Sequence, residues 1–319
     1  MCDLRLVVLI CLIISSWAQA QRKTPAQILP EPPGVVRVSD NLFMDEAEVA
    51  NIHWLEYLQY IRCDSSYTFY QSQIPDSTVW KTFAEELGAR LMDPFVAHYF
   101  RYPGFRYYPL VGISYEQAVA YCRWRSSMVN NGYFQSAEFQ KKHPELRNFN
   151  VMAEYRLPTE TEWEQAVTGN QPVGTEPLEL VPWPPKFSLR PVLLRKEKNL
   201  DSCVTAFALP RDKPVFQLPY TLRENFISEE NGQPFFCPAY QEFFTEYIYN
   251  HPPTASKLYH VIGNVAELTA TKGIAKGGSF RSSVRQITVS SRQLYQGPQC
   301  WLGFRCVATV RLVPKPVTQ

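Results

Sequence analysis

The sequence predicts a mixed α/β fold, of the α+β kind and rich in loops, and three observations predict it. Capping boxes at Ser114 and Thr159 each open an apolar stripe with helical spacing. The C-terminal stretch carries strand-like pieces instead, the last alternating apolar and polar residues. No internal repeat and no linker separates the two regions, so helices and strands share one body. A chain of 319 residues, 45% hydrophobic and 19% charged, can bury a sizeable core and has no reason to stay disordered. With 32 basic against 30 acidic residues, its charge gives no field that would gather nucleic acid or anionic lipid.

The start, "MCDLRLVVLICLIISSWAQAQ", has the form of a signal peptide: Arg5, an apolar run Leu6–Ile14 and a small-x-small end at Ala18-Gln19-Ala20. Cleavage is expected after Ala20. The run is too short to span a bilayer and no other segment is apolar enough, so no transmembrane segment is expected. Cys11 follows Ile10 rather than a small residue, which makes it a poor lipid-attachment site. Export to the periplasm or the outer membrane follows as the expected location. Six cysteines remain after cleavage: Cys63, Cys122, Cys203, Cys237, Cys300 and Cys306. An even count in an exported chain favours disulfides, buried free thiols being the alternative.

Beyond a proline-bearing arm at 21–35, "LFMDEAEVANIHWLEYLQYI" places Trp54, Leu58 and Ile61 on one face, which predicts a helix near 52–61 with Asn51 as its cap. "YYPLVGISYEQAVAYCRWRSS" reads as an extended piece, Leu110–Ile113, then a helix whose Ser114 and Gln117 form the capping box and whose Ala118, Tyr121 and Cys122 share a face. "YRLPTETEWEQAVTG" repeats the device with Thr159 and Glu162, a buried stripe of Trp163, Ala166 and Val167, and Gly169 as the stop. From Gly169 to about Leu258 no period holds, although the many aromatics argue against a disordered linker. The chain closes with "GIAKGGSF", "QITVSSRQL" and "WLGFRCVATVRLV" as strands, Cys306, Ala308, Val310 and Leu312 facing one way in the last.

Familiar catalytic patterns are missing. The five histidines fall at no metal-binding spacing, and each reads as a surface or satisfied core residue. Gly277-Gly278-Ser279 is not a nucleophile elbow, since Arg281 stands where a second glycine would be needed. Glu160, Glu162 and Glu164 look like a catalytic cluster, yet acidic residues in a first turn are what the helix dipole favours.

Taken in order, "YPLVGISYEQAVAYCRW", "YRLPTETEWEQAV", "LYHVIGNVAEL", "KGGSF" and "LGFRCVA" resemble the signature blocks of the formylglycine-generating-enzyme, or sulfatase-modifying factor, domain. The resemblance covers about 36–312, leaves 313–319 as a tail, and implies that family's single compact domain with a C-type-lectin-like fold. "FMDEAEVAN", "IPDSTVW" and the run 99–125 are most similar to the domain of gliding-motility and type IX secretion lipoproteins of Bacteroidota. Active members place two copper-binding cysteines at the positions of Ser282 and Ile287. A hydroxyl and a branched alkane cannot replace two soft thiolates, so the resemblance implies a scaffold without the oxidase activity and without a catalytic cofactor. It implies a calcium site from the carbonyls of Gly263 and Val265 and the carboxylate of Glu267, with His260, a poor calcium ligand, in place of the first oxygen. It implies too a disulfide between Cys122 and Cys306, on the buried helix face and the inward strand face.

The function expected on these grounds is non-enzymatic: a protein-binding platform among other cell-envelope proteins, in a secretion or motility assembly. One alternative is an enzyme built on Glu267, Arg285 and Arg292, unless these arginines merely pair with carboxylates. Another is a carbohydrate- or peptidoglycan-binding module, which the 14% aromatic content permits.

Overall fold

The computed structural model describes residues 29–87, 93–169, 228–230, 233–235, 245–250, 253–282 and 289–316. The signal-like start, most of the aperiodic span, Arg285 and Ile287 lie outside the described residues. One sheet holds β1 (Val35–Arg37), β2 (Leu42–Asp45), β3 (Phe149–Arg156) and β10 (Val307–Pro314), antiparallel in the order β1-β2-β10-β3. The last strand thus lies between the second and third, closing the chain's end on its start. Cys306, Ala308 and Val310 are buried in one core cluster with partly buried Leu312, as the alternation predicts. Their partners across the ladder, Tyr155 opposite Ala308 and Ala153 opposite Val310, join the same cluster. Val307, pointing the other way, packs with Leu42 and Met44 in a second cluster, so β10 separates two layers of core.

A second sheet runs β8-β7-β6-β9, from β6 (Ala266–Leu268), β7 (Ile274–Lys276), β8 (Gln293–Leu294) and β9 (Leu302–Gly303). β6 and β9 are parallel; the other pairs are antiparallel. A short hairpin joins β4 (Ser228–Glu230) to β5 (Gln233–Phe235). "WLGFRCVATVRLV" is therefore two strands and not one. Between them Phe304 and Cys306 bond Val49 and Asp45 through their carbonyls, as the chain passes from one sheet to the other. In "QITVSSRQL" only Gln293–Leu294 is strand among the described residues.

Seven α-helices are described: α1 (Asn51–Asp64), α2 (Tyr67–Ser72), α3 (Val79–Leu87), α4 (Asp93–His98), α5 (Tyr115–Met128), α6 (Ala137–Lys142) and α7 (Glu160–Thr168). α5 has the expected box, the Ser114 hydroxyl accepting from the Gln117 N–H at 3.2 Å while the Gln117 side chain accepts from the Ser114 N–H at 2.7 Å. Its buried residues are Ala118, Tyr121 and Cys122. In α7, Thr159 and Glu162 form the box, Trp163, Ala166 and Val167 are buried, and Gly169 ends the helix at a φ of +63°. α1 buries Trp54, Leu58 and Ile61, with Tyr57 beside them. Trp54 stacks on Tyr121 with ring centroids 5.3 Å apart, joining α1 to α5.

Two local expectations are corrected. Ala50, not Asn51, is the N-cap of α1, with no side-chain cap; the Ala50 N–H donates to His53 Nδ1. The Asn51 amide instead donates to the carbonyls of Phe105 at 2.9 Å and Tyr99 at 3.2 Å, a buried demand that outweighs capping. Leu110–Ile113 is not a strand, because Gly112 turns there at a φ of +73°, its carbonyl accepting from the Asp76 N–H. Pro109 forms an isolated bridge with Ala50, beside which the Leu110 N–H donates to the Val49 carbonyl at 2.8 Å.

Candidate functional site

The turn after β7 is built from two left-handed glycines, Gly277 at a φ of +86° and Gly278 at +69°. A Cβ on Gly277 would stand 2.8 Å from the Val261 carbonyl oxygen and 3.2 Å from the Trp163 ring, so the turn is pressed onto α7. Gly277→Ala is therefore expected to cost about 1–3 kcal/mol, read as a lower urea midpoint with an unchanged slope. The polar groups of the turn are spent on its shape. Ser279 N–H donates to the Ser282 hydroxyl at 3.0 Å, Arg281 N–H to the Ser279 hydroxyl at 3.2 Å, and Phe280 N–H to the Asn264 carbonyl at 3.0 Å. Ser282, which the resemblance aligned with a copper-binding cysteine, is here a turn-forming hydroxyl; hard, neutral and already engaged, it does not fit a copper(I) ligand.

Beneath the turn lies a buried ionic chain. Lys276, wholly buried, donates to Glu164 at 2.7 Å and sits 5.8 Å from the centre of the Trp163 ring. The Trp163 indole donates to Glu267 Oε2 at 2.7 Å. Arg305 completes it, donating to Glu267 through Nε at 2.8 Å and Nη2 at 2.6 Å. Its remaining N–H groups reach the carbonyls of Asp45, Glu46 and Tyr259, so all five donors are used. Burial raises the Glu267 carboxyl above its ordinary range against the pull of Arg305 and Trp163. Both Glu267 oxygens are committed to a guanidinium and an indole, so Gly263, Val265 and Glu267 as placed do not fit a calcium ion. The positive charge that the carboxylate needs comes from Arg305. His260, at a φ of +47°, turns Nε2 to the Tyr247 carbonyl at 3.1 Å.

Each carboxylate of "TETEWE" has a basic partner: Glu160 with Arg292, Glu162 with Arg156, Glu164 with Lys276. Arg292 thus pairs with a carboxylate and is not brought to Glu267. Cys122 and Cys306 are brought together: both thiols are buried, with their sulfurs 3.5 Å apart. Cys63 is exposed and Cys300 buried. Among the described residues no three His, Cys, Asp or Glu side chains are grouped to hold a metal, and no helix is long and apolar enough to cross a membrane.

Sequence reasoning passed over Arg305, Lys276, Asp45 and Glu48, all buried. The signal was present, since "FMDEAEVA" and "LGFRCVA" each set charged residues inside an apolar run, where burial requires a partner. Glu48 accepts from the Asn264 amide at 3.0 Å. Burial pushes its carboxyl well above the ordinary range, Arg305 pulling it down and Glu267 pushing it up.

Solved structures of low identity match the chain along most of its length. Treponema denticola variable protein 1 is 16% identical, over 88% of this chain and 93% of that one, with a TM-score of 0.41. PvdO from Pseudomonas aeruginosa is 15% identical, over 84% and 80%, with a TM-score of 0.41. The search of the curated proteins found no match. The model of the sulfatase-modifying factor enzyme 1-like domain family matches residues 16–178, just over half of the chain and including both capping boxes.

Proposed function

Since the chain belongs to the sulfatase-modifying factor enzyme 1-like domain family, we propose that it uses that scaffold without oxidase chemistry, as an exported platform binding other proteins of a cell envelope. The assembly we assign is of the type IX secretion or gliding-motility kind, on the likeness of the residues from "FMDEAEVAN" to Arg125. The observation that carries the binding role is a ladder of exposed tyrosines. Tyr107, Tyr247 and Tyr249, each over a third exposed, follow one another at centroid distances of 5.9 and 5.8 Å, and buttressing Tyr259 lies 4.9 Å beyond. The Ile248 N–H donates to the Tyr107 carbonyl, and the Tyr249 hydroxyl to Glu46 Oε1, which holds the rings in place. Preorganised rings with polar tips are what protein interfaces concentrate, because they bury large area at little entropic cost.

The test pairs capture with chemistry. Full-length protein used as bait in native envelope extract should hold a stoichiometric partner, and Tyr107→Ser with Tyr247→Ser should lose it while melting normally. Copper-supplemented protein should leave a sulfatase-type cysteine peptide unconverted. Formylglycine formation above a metal-only control, or capture indifferent to the tyrosines, overturns the reading.

A further inference from the structure

Asp45, Glu48 and Glu267 are 4%, 1% and 1% exposed, and two guanidiniums, Arg125 and Arg305, stand among them. Arg125 is spent on Asp45 at 2.7 Å, and Arg305 on Glu267 and three backbone carbonyls. Glu48 is the carboxyl left over. It forms no ion pair among the described residues; its Oε1 accepts from the neutral Asn264 amide at 3.0 Å, and its buried Oε2 has no hydrogen-bond partner among them. An unpaired anion buried beside Glu267 costs far more than a neutral acid, so the count of charges puts a proton on Glu48. Its neighbours supply no free cation. Within the core it is faced by Arg305, already committed, by Glu267 and by the neutral Tyr99 and Asn264. On its cavity side stand Asp45, Glu46 and Glu56, with paired Arg125, the Tyr249 phenol, and His53, whose pKa burial and Arg125 lower.

One side chain ties Glu48 to the tyrosine ladder. Asn264, at a φ of +48°, donates to Glu48, accepts from the Glu246 N–H at 2.9 Å through Oδ1, and accepts from the Phe280 N–H through its own carbonyl. Tyr99 reaches the same segment, its hydroxyl 2.7 Å from Thr245 Oγ1. We propose that Glu48 is a proton switch: the folded protein holds this carboxyl as the neutral acid at neutral pH, and its ionisation frees Asn264 and the segment 245–250, which carries Tyr247 and Tyr249, from the core. Ionisation sends the proton to water and leaves an anion that Glu267 repels. Hydrating that anion requires the segment bonded around it to open. Burial holds the Glu48 carboxyl above its ordinary 4.5, so its contribution to stability is complete below that value and is lost as pH rises through the folded value. The switch therefore works on the alkaline side. Its control of partner capture rests on the ladder being a binding surface; the opening itself does not.

Amide hydrogen exchange of the full chain across pH tests this. The Glu246 and Ile248 amides should lose protection as pH rises, by up to tenfold per unit beyond the change in intrinsic rate, while Val310 in β10 stays protected. Glu48→Gln, which copies the neutral acid, should abolish that loss and melt close to wild type at about pH 5 and above it at about pH 9. Should that variant fold poorly, the Glu48 carboxyl carbon of wild-type protein made with isotopically labelled glutamate decides: a neutral-acid resonance at about pH 7 supports the switch, and titration in the ordinary carboxylate range overturns it. Protection at Glu246 and Ile248 that ignores pH, or an equal loss in wild type and Glu48→Gln, overturns it too. The expected exchange with partner capture indifferent to pH would keep the switch and count against the ladder.

Discussion

Arg305→Met is expected to lower stability by about 3–5 kcal/mol, because removing one partner of a buried ion pair leaves the other charge uncompensated. Glu267 would keep only the Trp163 indole, and three backbone carbonyls would lose their guanidinium donor. The loss should depend on pH. The Glu267 carboxyl already stands above its ordinary 4.5 through burial, and losing Arg305 raises it further. A carboxyl with a raised folded pKa keeps its contribution below the unfolded value and loses it as pH rises through the folded value. The variant should therefore be closer to wild type at about pH 5 than at about pH 8. Adding Glu267→Gln should restore much of the loss and remove the pH dependence. Urea midpoints of the three proteins decide the matter; a loss below about 1 kcal/mol in the single variant would mean that the pair is solvated.

Oxidation of Cys122 with Cys306 is the second large effect, expected to stabilise the folded chain by about 3–5 kcal/mol on the chain-entropy model. The two residues are 184 apart in sequence, so a bond would close a loop of most of the described body. Burial, with Cys122 adding, pushes the Cys306 thiol well above the ordinary range. A buried thiol that resists ionisation attacks slowly, so the bond should form while the chain folds and then resist mild reductant in the native state. Peptide mapping of protein folded under oxidising conditions should recover the linked pair, and reduction in denaturant should lower the refolded midpoint in wild type but not in Cys122→Ala. Two titratable free thiols in oxidatively folded, denatured protein would show a pair of packed thiols instead.

The local devices were legible in the residues. The boxes at Ser114 and Thr159 formed with their expected partners and the stripes behind them were buried as expected, because capping and helical periodicity are settled within a few residues. The alternation from Cys306 to Leu312 was legible for the same reason. Asn51 and Leu110–Ile113 misled because their outcome depends on distant groups. Asn51 is claimed by the carbonyls of Tyr99 and Phe105, and Gly112 by contacts with Asp76 and Gln299.

From the sequence by itself came the mixed α/β class, the family and the capping boxes at Ser114 and Thr159, all properties of residue type and short spacing. Tertiary structure alone decided that "WLGFRCVATVRLV" divides between two sheets, that Arg305 rather than solvent satisfies Glu267, and that Asp45 meets Arg125 and the Cys306 N–H. Those outcomes join residues distant in sequence, 38 positions apart for Glu267 and Arg305 and 261 for Asp45 and Cys306. Which charge meets which across such a span is set by the packing of the sheets, and no local pattern encodes it.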